Sequence, residues 1–195
     1  MPQTAFETMG NPMAVRLVFV DETSIRTFDS FAEGQGWERE AADPDPVNVD
    51  ADRPFTAWRT SSGRVVFTND TVIETQYAEV GADDDETAIR GAFTVHNLAE
   101  TVAALDPGQA ENAVFHGYEL IAGAAGETSR DQSVVDATTS GFADERARVR
   151  RAALLVVQYT EWSEFLPDVQ RLAESDPDQN VRDMAGNMQM LLELS

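Results

Sequence analysis

The sequence predicts an α+β fold, with a small antiparallel-sheet region over residues 1–105 followed by a short α-solenoid over residues 106–195. Three features of the chain predict it. Runs rich in β-branched and aromatic residues are confined to the first 80 residues, apolar residues recur at helical spacing from about 85 onward, and the second half contains an internal repeat with an offset of 32 residues. Strands that precede helices, rather than alternating with them, give the α+β order or two abutting domains.

Met13 to Val20 (MAVRLVFV) has the composition of a mostly buried strand. Beyond it Ile25, Phe28 and Phe31 recur at helical spacing, with Asp21 placed to cap them, which predicts a short helix over 22–33. Residues 41–54 (AADPDPVNVDADRP) combine prolines and acids with almost no apolar content, so an exposed loop is expected. Phe55–Thr60 and Arg64–Thr68 are β-rich runs joined by Ser61-Ser62-Gly63, the pattern of a hairpin over 55–68. Val72 to Val80 alternates Val72, Glu74, Gln76 and Ala78 with Ile73, Thr75, Tyr77 and Glu79, as in a half-solvated antiparallel strand. After the acidic turn at 81–85, helices are expected at roughly 85–91, 95–105, 108–124, 131–141, 145–159, 162–174 and 178–194.

The repeat lies in the last of these helices. Asp144, Val149, Arg150 and Ala153 recur as Asp176, Val181, Arg182 and Ala185. Each copy sets an acid just before a helix, where it can cap free N–H groups and meet the positive end of the helix dipole. Val149, Ala152, Ala153, Val156 and Val157 then share one face, as do Val181, Met184, Ala185, Met188 and Leu192. Asp-x4-Val-Arg-x2-Ala, together with Tyr159-Thr-Glu-Trp162 between helices, resembles the HEAT family of helical repeats, over the stretch from Asp131 to Leu192. The resemblance implies a HEAT-like solenoid acting as a binding scaffold without intrinsic catalysis. Asp144 with Arg150, and Asp176 with Arg182, suit an acid-to-arginine ladder between neighbouring repeats, since the guanidinium fork holds carboxylates bidentately.

Charge excludes several functions. The chain carries 35 acids and 14 basic residues, a formal charge of −21, and every basic residue is arginine. Direct binding of nucleic acid is disfavoured because that affinity comes from neutralising phosphates, and an anionic membrane surface repels the chain too. The absence of cysteine excludes disulfides and thiolate chemistry. Residues 1–12 lack the pattern of a signal peptide, and Ala152–Val157 is too short an apolar run to span a bilayer, so a soluble, cytoplasmic protein is expected.

No catalytic, cofactor or metal constellation emerges. His96 and His116 fall on separate expected helices, without the spacing of a metal site. Asp43, Asp45, Asp50 and Asp52 suggest calcium, but the segment lacks the glycine and terminal glutamate of an EF-hand loop; a role in an acidic binding surface is the reading kept for them. Trp58 on the hairpin is either core or an interface anchor, and Trp162 is expected to plug the helical core. Gly123-Ala-Ala-Gly126 reads as a helix stop. The function expected is a non-enzymatic interaction module whose acidic surface engages a basic protein, in the manner of an immunity or antitoxin protein. Two alternatives stand beside it: a halophile-adapted scaffold whose charge serves solubility, and an enzyme with a carboxylate site in the N-terminal domain.

Overall fold

The computed structural model of the chain describes residues 15–40, 52–126 and 129–194. Within them run β1 (Val15–Phe19), α1 (Ile25–Gly34), β2 (Glu38–Arg39), β3 (Phe55–Arg59), β4 (Arg64–Asp70), β5 (Thr75–Val80), α2 (Asp83–Ala92), β6 (Val95–His96), α3 (Leu98–Ala104), α4 (Glu111–Ala125), α5 (Gln132–Phe142), α6 (Ala147–Thr160), α7 (Leu166–Ser175) and α8 (Gln179–Leu194). The six strands form one sheet in the order β2-β3-β4-β5-β1-β6, with every pair antiparallel. The fold is thus mixed α+β.

Strand alternation gives the sheet two different faces. Leu17, Phe19, Trp58, Val65, Phe67, Ala78 and Val80 point to one face and pack with Phe28 of α1 and Ile89 of α2. Phe28 is the hub: its ring centroid lies 4.8 Å from Phe67, 5.1 Å from Trp58 and 5.8 Å from Phe19. Burying such a ring contributes about 3 kcal/mol, and the aromatic pairs add to it. Val18 and Tyr77 point to the other face and pack on Leu120 and Ala124 of α4.

Three sequence expectations are corrected here. The first helix begins at Ile25, capped by Ser24 rather than Asp21: Ser24 Oγ accepts from the Thr27 N–H at 3.1 Å. Residues before it are held out of the helix because Thr23 N–H donates to Gln76 Oε1 and Thr23 Oγ1 donates to the Asp21 carbonyl. The strand expected over 72–80 begins only at Thr75. β4 runs on to Asp70, whose carboxylate accepts from Val72 and Ile73 N–H and so closes a turn in which Glu74 has φ of 47°. Ile73, freed from the ladder, enters the helical core. Finally, the helix expected over 95–105 begins at Leu98. Val95 and His96 pair with β1, and Asn97 with Glu100 forms a capping box that fixes the start.

The remaining helices pack as α3/α4, α5/α6 and α7/α8, with α3, α5 and α7 adjoining in one row and α4, α6 and α8 in a second. The second row's core holds Ile121, Ala152, Ala153, Val156, Val181 and Ala185. Alanines on the facing surfaces let the axes approach closely. Val149 and Val181, 32 residues apart, are both buried at the start of their helices. The backbone reproduces the offset: Arg146 N–H donates to Asp144 Oδ1 as Asp178 N–H donates to Asp176 Oδ1, and Arg150 Nη1 donates to the Asp144 carbonyl as Arg182 Nη1 does to that of Asp176. α4 meets the sheet at Gly123, where an added Cβ would lie 3.2 Å from side chains of Val18 and Thr75. No helix among the described residues is long and apolar enough to cross a membrane.

Candidate functional site

The sheet and the helical rows are joined at Asp70, at the end of β4. Its carboxylate is fully buried, accepts three hydrogen bonds and forms one ion pair: Oδ1 takes the Val72 and Ile73 N–H groups, while Oδ2 takes Tyr159 Oη at 2.7 Å and lies 3.1 Å from Arg53 Nε. A buried charge persists only when satisfied in this way. Burial and the bond to Asp70 both raise the Tyr159 hydroxyl far above its ordinary range, so Tyr159 is a neutral donor at physiological pH.

Two clefts of opposite character adjoin this junction. Asp70 lines the first, of about 490 Å³, with Glu22, Asn69, Glu74, Gln76 and His116. Its polar groups are partly ordered by each other: Gln76 Nε2 donates to Asn69 Oδ1, and His116 Nδ1 lies 3.2 Å from Glu119 Oε2. The Glu119 hydrogen bond holds His116 above the ordinary imidazole value, against burial and with help from the Glu119 charge and the Val20 carbonyl. Glu22 and Glu74 are the exposed carboxylates at this opening, while its amide oxygens and the Asp70 carboxylate are engaged within the fold.

Tyr159 lines the second cleft, of about 510 Å³, with Arg16, Arg53, Tyr77, Gly126 and Glu161. Each guanidinium lies over a ring, Arg16 over Tyr77 and Arg53 over Tyr159, both at 4.4 Å. Arg16 Nη1 also donates to the Gly123 carbonyl, and Nη2 meets Glu79. Gly126 ends α4 with φ of 39°, and a Cβ there would fall 1.7 Å from Arg16 Nη1. Glycine at 126 is therefore the stop expected at the end of α4 and also the space through which Arg16 enters. Among the described residues no group of three or more His, Cys, Asp or Glu side chains is placed to hold a metal ion.

Comparison with protein-family models, with curated proteins and with solved structures finds no match for this chain.

The residues singled out from sequence fall in different places. Trp58 is 1% exposed, in the aromatic core, with its indole N–H donating to Asp29, so it offers no surface anchor; the opposite face of its strand would have been needed. Asp52 is exposed just before β3, and its carbonyl accepts from Thr71 N–H and Oγ1. Asp43, Asp45 and Asp50 lie outside the described residues. The Asp144 carboxylate is held by Arg146, and Arg150 reaches only the carbonyl of that residue. Arg150 instead crosses to the next unit and grips Asp176 through Nε and Nη2, at 2.7 and 2.8 Å. Arg182 reaches the Asp176 carbonyl and Gln179. Asp176, expected as the cap of the last helix, accepts from Asp178 N–H, while Asp178 bonds the Asn180 and Val181 N–H groups and is the cap itself. Asp70, Arg53, Tyr77 and Arg16 belong to no sequence motif. A lone arginine inside the apolar run MAVRLVFV was the one signal pointing to them.

Proposed function

We propose that this protein is a non-enzymatic interaction module, a HEAT-like helical scaffold built on an antiparallel sheet, whose acidic surface engages a basic protein. An immunity or antitoxin-like role, blocking a cationic toxin in the cytoplasm, is the concrete form of this reading; neither nucleic acid nor membrane is a direct partner. One observation carries it. Among the described residues ten of the 14 arginines form ion pairs with carboxylates of the fold, so the excess of 21 acids over arginines is not balanced by free cations at the surface. Part of the acid content has local work: Asp83, Asp84, Asp85 and Glu86 occupy the first turn of α2, where the helix dipole favours them, and Asp85 accepts from Thr60 Oγ1. The rest sets an outward negative field that steers cations.

The total lack of lysine favours a second reading, in which the acids serve solvation in brine. Kinetics of binding to an arginine-rich peptide and a pull-down with basic proteins, at low and high salt, separate the two. The interaction reading expects an association rate that falls steeply with salt and a dissociation rate that changes little. No salt-sensitive partner, together with a fold that collapses below molar salt, overturns it.

A further inference from the structure

The cleft of Arg16, Arg53, Tyr77 and Tyr159 is anomalous in this molecule. In a chain of charge −21, two of 14 arginines converge on one opening of about 510 Å³. Each guanidinium has one face covered by a tyrosine ring, which fixes its plane and leaves its N–H groups directed edgewise. Their carboxylate contacts orient them: Glu79 lies on Arg16, and Asp70, which also accepts three hydrogen bonds, lies on Arg53. The Tyr77 hydroxyl makes no hydrogen bond to a described residue, and burial, acting against the Arg16 charge, raises its pKa and keeps it a neutral donor. Gly126, the only residue type whose backbone and volume admit Arg16 here, completes the cradle. One acid, Glu161, stands at the rim, with a left-handed backbone at φ of 51°.

We propose that this cleft binds the oxyanion group, carboxylate or phosphate, of a small molecule. Planar guanidinium edges match the oxygens of either group, and charge-assisted bonds of this kind are about twice as strong as neutral ones. The Tyr77 hydroxyl supplies a further donor. The site is separate from the acidic surface and does not depend on the interaction reading.

Titration of the full chain with inorganic phosphate and, separately, with citrate tests the proposal, followed by calorimetry and by the Nε–H resonances of Arg16 and Arg53. Saturable binding of at least one probe, with both resonances shifting, is expected, and the probe that binds identifies the source of the oxyanion. Arg53→Lys keeps a cation beside Asp70 but loses the fork, and should weaken binding about tenfold. Tyr77→Phe removes only the hydroxyl and should weaken it about threefold to tenfold. Thermal denaturation verifies that each variant is folded. Absence of saturable binding by either probe overturns the proposal, as does binding that Tyr77→Phe and Arg53→Lys, both folded, leave unchanged; in that case the arginines serve only to join sheet and helix.

Discussion

Arg150 and Asp176 are almost wholly enclosed, with side chains 8% and 2% exposed, and each is the other's charge partner across two helical units. Burial alone would push the Asp176 carboxyl up; the Arg150 fork, the Asp178 N–H and the charge of Arg182 outweigh it and hold the carboxyl below its ordinary value. A carboxyl depressed in the folded state contributes stability that is present above its unfolded value and lost as pH falls through the folded one. Acid unfolding is therefore expected to begin below about pH 4, and Asp176→Asn should flatten that limb of the profile. Arg150→Met leaves Asp176 buried without its partner and should cost about 3–5 kcal/mol by denaturant titration. His116 has the opposite sign. Raised by Glu119, it supports the fold fully below about pH 6.5 and loses that contribution as pH rises through its folded value. An NMR titration should show the His116 ring titrating above the ordinary imidazole range, and Glu119→Gln should bring it down.

At the scale of elements, the last helix tests the repeat most directly. Val181→Ala should destabilise by about 1–2.5 kcal/mol through lost burial and a cavity, and Asp178→Ala by about 1 kcal/mol through loss of the cap, both measured as shifts in chemical denaturation midpoint. Asp176 and Asp178 both precede α8, so sequence spacing alone did not tell which one caps. The choice is made by Arg150, which takes the Asp176 carboxylate from another unit and leaves the first-turn N–H groups to Asp178. Helix positions were readable because their apolar stripes are local and periodic; the long-range partner was not. The position 32 residues before Arg150 is Tyr118, not arginine, so the ladder has no earlier rung. Tyr118 Oη instead donates to the Ala137 carbonyl, and burial, with the charge of Asp144, pushes its pKa up to about 12. Gly141 makes room for it, since a Cβ there would lie 2.4 Å from the hydroxyl. Likewise Asp70 falls between the strands expected at 64–68 and 72–80, and its role depends on Tyr159, 89 residues away.

For the whole molecule, both parts carry the same sign: 19 acids against 7 arginines in residues 1–105, and 16 against 7 in the remainder. Neither neutralises the other, so self-repulsion acts on every element, and the melting temperature should rise as salt screens charges beyond about 8–10 Å. A rise complete by physiological ionic strength is the outcome expected for an interaction protein; continued gain to molar salt marks adaptation to brine. The same helical array has unlike ends. α4 is covered by the sheet, through Leu120 and Ala124 against Val18 and Tyr77. Among the described residues α8 has α6 and α7 as its neighbours, and where α6 turns Leu154 and Val157 inward, α8 carries Gly186 and Gln189 at the matching positions. The fold therefore has a direction of failure. Amide exchange should be fastest in α7 and α8, which open together as a pair, slower in α6, and slowest in α4 and the central strands, so that a protease acting under native conditions trims the chain from its C-terminal pair.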